Sequence, residues 1–202
     1  MKIETVFFTE QKNDFDKYLA EIFVREGYNV NIADKNIPVS KPDSIDIYID
    51  VNNEKDPADS FTIRDGLDED IIRSVYEANV LDSMKMLESC LPLLDAGNGK
   101  RLCFLTGAEA SINETRDING FAYKLSKAAM HNFIQMISNR LSPAGYTFRI
   151  YDPMYGDIDA KASAEGAFNY FTRRRGIEQN NPLRDDETRL VFRDALGREH
   201  CW

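Results

Sequence analysis

Tyr123 and Lys127 stand one helical turn apart, inside Tyr-Lys-Leu-Ser-Lys-Ala-Ala (123–129). Residues i and i+4 of an α-helix share a face, so both side chains can enter one cleft. An ammonium beside a phenol favours the phenolate and so tunes an acid/base group. By spacing alone, an exposed surface pair is the more economical reading of the same two residues. A second group is acidic: Glu10, Asp14 and Asp16 sit where an apolar run passes into an amphipathic stretch, and Asp50 falls within another apolar run. His131 and His200 are the only histidines, and neither has metal-ligand spacing to a cysteine or carboxylate cluster. No metal is expected.

These residues need elements to hold them. Thr5 to Thr9 reads as a buried strand. Phe15, Leu19, Ile22 and Phe23 then recur at helical spacing up to a stop at Gly27. Val30, Ile32 and Ala33 form a second strand ending at Asp34, and Ile45 to Val51 a third. A long helix runs from about Asp68 to Cys90 through Ile72, Val75, Val80, Met84 and Leu87, with Pro92 beyond it. Strand Leu102–Thr106, helix Phe121–Leu141 (stopped by Pro143 and Gly145) and strand Thr147–Tyr151 follow. Further on, the pattern predicts a helix over Ala160–Phe171, a polar loop with Asn180, Asn181 and Pro182, a strand at Arg189–Arg193 and a turn at Ala195-Leu196-Gly197. Such alternation means a parallel α/β sheet with crossover helices. Residues 1–202 are expected to form one domain, less regular over 157–202.

A formal charge of -9 argues against non-specific nucleic-acid or anionic-membrane binding, which want a basic face. The basic run Arg173 to Arg175 reads as a solvated helix end. Cys90, Cys103 and Cys201 are odd in number and unpaired in spacing, which suits a reducing compartment. No apolar stretch approaches membrane-spanning length, and Met1 leads straight into a strand. A soluble cytoplasmic protein is the expectation.

Over roughly residues 3 to 158 the order and register resemble the short-chain dehydrogenase/reductase family. Thr9 to Gly27 follows that family's opening, Thr-Gly-x-x-x-Gly-x-Gly, helix, Glu-Gly, but Glu10, Asp14 and Asp16 hold the three glycine positions. Glu77 to Leu81 matches the helix of the catalytic asparagine, placing Asn79 there. Leu91-Pro92 and Gly99 to Leu102 match the approach to the next strand, and Tyr123 to Ala129 the active-site helix. The resemblance implies a Rossmann-like doubly wound parallel sheet. It implies Tyr123 as proton donor or acceptor, Lys127 as the group that lowers its pKa and holds a nicotinamide ribose, and Asn79 as orderer of a relay water. Gly107 occupies the register of the family's serine, leaving Ser111, or less easily Thr106, to substitute. Thr9, Glu10, Asp14, Asp16, Asp34 and Asp50 would face the cofactor. Asp34 would bind its ribose or, equally, form a turn. The family's Asn-Asn-Ala-Gly reads here as Asp50-Val51-Asn52-Asn53. From Asp34 to Ile45 there is too little chain for a βα crossover, so one strand–helix unit is expected to be missing.

Glycines at those positions let the backbone turn and a pyrophosphate approach a helix N-terminus. Carboxylates add bulk and like charge there. The expectation is a family member impaired in NAD(P) binding, without cofactor, acting as a binding or assembly subunit. The alternatives are an active NAD(P)-dependent oxidoreductase of a small carbonyl or alcohol, or a binder of a cationic or neutral ligand in the acidic crevice. By resemblance, the helices of Asn79 and Tyr123 would pair two copies, or pair this chain with an intact paralogue. Met84, Met86, Met130 and Met136 would offer adaptable contacts there.

Overall fold

A computed structural model describes residues 3–33, 42–62, 64, 66–116, 118–173, 186 and 189–202. Asp34, Arg174, Arg175 and the loop with Asn180, Asn181 and Pro182 lie outside the described residues.

The apolar runs become strands β1 (Thr5–Phe8), β2 (Asn29–Ile32), β3 (Ile47–Asp50), β4 (Arg101–Leu105) and β5 (Thr147–Asp152). Between them lie α1 (Asp14–Arg25), α2 (Glu69–Tyr76), α3 (Asp82–Ala96) and α4 (Phe121–Leu141), and α5 (Ala160–Thr172) follows β5. Strands β6 (Phe192–Asp194) and β7 (Glu199–His200) complete a seven-stranded sheet of order β2-β1-β3-β4-β5-β6-β7. All pairs are parallel except β6–β7. This is the doubly wound α/β sheet, with β2 as an edge strand and β3 beside β1.

Side chains alternate across each strand, so the two faces bury different helices. Val6, Phe8, Ile49, Cys103 and Tyr151 pack beneath α1 and α5, through Leu19, Phe23, Ala164 and Phe171. Phe7, Tyr48, Leu102, Phe104 and Ile150 pack beneath α3 and α4, through Leu87, Leu94, Met130 and Ile134. Cys90 and Cys103 are buried outside any disulfide, while Cys201 is exposed. Among the described residues no helix is long and apolar enough to cross a membrane.

Two expected boundaries move. The helix carrying Cys90 does not stop short of Pro92 but runs through it to Ala96. Leu87, Cys90 and Leu94 keep one buried face going, and that burial outweighs the one hydrogen bond a mid-helix proline removes. The stop comes at Gly97, where a Cβ would run into the Ile45 carbonyl. The last predicted strand shifts to Phe192–Asp194 because pairing with β5 sets its register, Ile150 against Phe192 and Asp152 against Asp194. After the predicted turn, β7 folds back as a strand that periodicity did not reveal, being two residues long.

Phe23 is fully buried between α5 and the sheet, edge-on to Phe8 and Phe168. Phe23→Ala is expected to lower unfolding stability by ~3–5 kcal/mol, and Val24→Ala on the exposed face by less than ~0.5 kcal/mol. Urea denaturation of both variants checks the assignment.

Candidate functional site

The site forms where β1, β3 and β4 end. After β1, Thr9 ties the strand ends together: its amide donates to the Ile49 carbonyl (3.0 Å) and its hydroxyl accepts from the Val51 amide (3.1 Å). The chain then turns into α1 through a capping box. Asn13 Oδ1 accepts from the Asp16 amide at 3.0 Å, and Asp16 Oδ2 accepts from the amides of Lys12 (2.9 Å) and Asn13 (3.2 Å). Amides at a helix N-terminus are the donors an anion would use. Here a carboxylate of the chain itself holds the two amides that lead into α1. Asp16 is buried, and that burial raises its pKa against the lowering effect of the two amides.

The other carboxylates are also engaged. Glu10 is buried and paired with Lys12 at 2.8 Å, and Lys12 also reaches Glu54 at 2.9 Å. Asp14 faces solvent and pairs with Lys17 at 3.3 Å. Asp50, buried at the end of β3, accepts from the Asn52 amide (2.9 Å). Burial raises its pKa, opposed by that amide and by the charge of Lys127.

The Tyr123–Lys127 pair is not a surface pair, because both residues are buried. Gly120, which precedes α4, has no side chain to cap it. Asp59 arrives instead from the loop after β3, accepting from the amides of Ala122 (3.1 Å) and Tyr123 (2.9 Å). Lys127 Nζ donates to the carbonyls of Asn52 (2.8 Å) and Leu105 (3.0 Å), bridging the ends of β3 and β4. Burial lowers its pKa to about 8, with Asp50 acting the other way. Tyr123 donates to Asn53 Oδ1 at 2.6 Å, and Lys55 Nζ lies over its ring at 4.3 Å. Burial pushes its pKa up, and the Glu109 charge adds to this.

Asn79 falls in a π-helical turn, Glu77–Leu81, between α2 and α3. Such a turn re-aims side chains that a regular helix would carry past. The Asn79 amide donates to Ser126 Oγ (2.9 Å) and the Glu54 carbonyl (2.8 Å), and its oxygen accepts from the Glu54 amide (2.7 Å). Gly107 follows β4, and a Cβ there would collide with the Glu109 carboxylate, which pairs with Lys55 at 3.2 Å. Ser111 is buried and its hydroxyl accepts from the Glu114 amide (3.2 Å), shaping its own turn. Thr106 shares a 2.8 Å hydrogen bond with His131 Nε2.

A cavity of about 230 Å³ opens in front of Tyr123, lined also by Lys55, Thr106 to Glu109, Asp152, Met154, Tyr155, Asp157, Asp194, Arg198 and His200. It brings together Tyr123 and the Gly107 corner. Ser111, Asn79, Lys127 and the α1 carboxylates lie outside its lining. Asp194, Arg198 and His200 were missed by sequence reasoning, which weighed His200 only for metal spacing. Nothing in their spacing links them to residues after β4. Asn53 and Glu109 could have been noticed as polar residues beside the altered motif positions. Among the described residues no group of acidic, histidine or cysteine side chains is placed to hold a metal ion.

No family model matches the chain. It is 24% identical over 123 residues to an uncharacterized oxidoreductase of Saccharomyces cerevisiae, a match covering 61% of this chain and 47% of that protein. It is 26% identical over 84 residues to the C-signal of Myxococcus xanthus, covering 42% of this chain and 51% of that one. The matches therefore span about half the length of these curated relatives. Among solved structures, a carbonyl reductase of Pseudomonas aeruginosa in complex with NADP superposes with a TM-score of 0.74 at 12% identity, over 99% of this chain and 100% of that one. A short-chain dehydrogenase/reductase-family oxidoreductase of Brucella ovis, with partially ordered NAD, gives 0.64 at 16%, over 85% and 94%. The fold of this chain is that of the short-chain dehydrogenases/reductases.

Lys127 has its folded pKa depressed to about 8 from 10.5. Such a group contributes stability that is present above the unfolded value and lost as pH falls through the folded one. The stability of the wild type relative to Lys127→Met is therefore expected to rise between pH 8 and 10.5. Parallel curves in chemical denaturation across that range would contradict the buried placement of the ammonium.

Proposed function

We propose that this chain is a short-chain dehydrogenase/reductase in which the dinucleotide site is filled by its own side chains, and that it works as a binding or assembly subunit. The observation that carries this reading is the Asp16 carboxylate on the amides of Lys12 and Asn13. A pyrophosphate would have to displace a bound, buried carboxylate and lie beside Glu10, at a like-charge cost of a few kcal/mol. The catalytic positions point the same way. Tyr123 donates to Asn53, both Asn79 N–H groups and its oxygen are bonded, and Lys127 gives two of its three N–H donors to carbonyls.

Exposed Leu81, beside Asn79, and exposed Leu125 and Met136 on α4 support assembly through these helices. Met130 is core, and Met84 and Met86 pack against it. An intact paralogue or a second copy would fit the same face.

One observation favours an active NAD(P)-dependent oxidoreductase instead: Tyr123 faces a cavity, with a lysine of lowered pKa one turn away. The proteins of like fold that hold NAD or NADP give this reading its cofactor. The cationic-ligand reading has less behind it. Asp14 faces solvent, and Glu10, Asp16 and Asp50 each hold a donor of the chain's own.

Calorimetry with NADH and NADPH decides between them. The wild type is expected to show no saturable binding at millimolar cofactor. Glu10→Gly/Asp16→Gly is expected to gain at least ~10-fold in affinity, or ~1.4 kcal/mol. Micromolar binding by the wild type would overturn the proposal and make Tyr123→Phe the next variant to assay for reductase activity.

A further inference from the structure

Lys55 belongs to the lining of the cavity in front of Tyr123, and its ammonium shows what that wall attracts. Nζ lies 4.3 Å from the centre of the Tyr123 ring and 3.2 Å from Glu109 Oε1. An aromatic face and a carboxylate are the two kinds of group that hold an alkylammonium. Both are fixed in place. The Tyr123 hydroxyl is tied to Asn53 at 2.6 Å, and the Glu109 carboxylate fills the space that a side chain at Gly107 would take. Among the described residues the exposed Lys55 ammonium has these two partners only. Such a contact between exposed side chains is weak and readily exchanged.

The rest of the wall carries negative charge without a cation of its own. Asp152, at the end of β5, is buried and accepts from the amides of Ala108 (2.9 Å) and Met154 (2.7 Å). Asp157 is exposed. Among the described residues neither forms an ion pair, whereas Asp194 has Arg198 at 2.6 Å and His200 at 3.1 Å. Burial raises the Asp152 pKa in spite of its two amides, as befits a carboxylate short of a cation. Tyr155 adds a second ring to the lining, set edge-on to Phe15 at 5.7 Å. Drug-sized ligands need pockets of ~300 Å³ and more. A space of about 230 Å³ suits something smaller.

We propose that this cavity binds a small alkylammonium compound, its cationic head against the Tyr123 face and the Glu109 carboxylate, with Asp152 and Asp157 adding negative charge and Lys55 competing for the same place. These are not the carboxylates beside α1 and β3, which donors of the chain already hold. The assignment goes beyond the reading above and rests on the cavity alone, so the failure of either leaves the other standing. When the ligand enters, the Lys55 side chain moves into solvent, where a long flexible ammonium is well hydrated.

The test is a titration of the full chain with choline chloride, followed by nuclear magnetic resonance at the amides of Gly107, Ala108 and Glu109. Sodium chloride at equal ionic strength controls for screening. The uncharged analogue of choline, with carbon in place of nitrogen, supplies the same shape without the charge. Choline is expected to shift these resonances saturably, and neither control to do so. Lys55→Met is expected to tighten choline by ~3-fold or more, and Glu109→Gln to weaken it by ~3-fold or more. A misfolded variant cannot produce the gain expected of Lys55→Met. Absence of a saturable shift with choline, an equal response to the uncharged analogue, or an affinity unchanged in either variant would each overturn the assignment.

Discussion

Glu10, Asp16 and Asp50 are buried where β1 and β3 end, and a buried carboxylate has to find its donors inside the protein. Most of the local architecture follows from how they do so. Asp16 accepts from the amides that lead into α1 and closes its capping box. Glu10 draws Lys12 back over the loop, and Lys12 in turn holds Glu54 of the neighbouring segment. Asp50 is favoured in its charged form by the buried Lys127 ammonium, whose two bonds fasten the ends of β3 and β4. Charge placed on the ligand-binding edge of a parallel sheet is thus neutralised from within.

That neutralisation changes what the remaining polar residues do. The segment 52–55 is pinned from three sides, by Lys127 on the Asn52 carbonyl, by Asn79 on Glu54 and by Tyr123 on Asn53. Side chains engaged in this way position the backbone they hold. Lys55 and Glu109 add a salt bridge over Tyr123, at the corner where Gly107 leaves room for the Glu109 carboxylate. The edge that binds ligands in open α/β sheets carries a self-contained network here, beside a cavity of about 340 Å³ lined by Thr9, Ala33 and Asn52, while the cavity in front of Tyr123 extends toward β6 and β7.

The second half of the chain reaches the Tyr123 cavity through its last two strands. The turn after β6 brings β7 back antiparallel, and with it His200 and Arg198 reach the cavity. The same segment seals the face beneath α4 through Trp202, which packs against the core. Surface access at the cavity and burial at the sheet edge therefore belong to one short piece of chain. Its attachment combines the backbone ladder to β6, the Arg189–Glu199 and Arg198–Asp194 ion pairs and the packing of Trp202.

Periodicity alone located the elements that build the two faces: helix Phe121–Leu141 appears at the predicted bounds, and the buried strands lie within a residue or two of theirs. Those signals are local, since a run of apolar residues or a 3.6-residue repeat is written in adjacent positions. The interval between Asp34 and Ile45 was legible as too short for a strand–helix unit, and the strand after it lies beside β1. Pro92 misled because its local penalty is visible in the sequence, whereas the continuing burial of Leu94 is not. Tyr123 and Lys127 were visible as a pair, yet only the tertiary structure decided that both are buried and that Lys127 bonds to strand ends rather than to the phenol. The same holds for Asp16, whose charge the sequence declares but whose partners depend on how the loop turns. It holds most for His200, which meets a carboxylate 86 positions away. Local patterns determine elements; long-range contacts between polar side chains, set by how those elements pack, determine what each residue of the site can do.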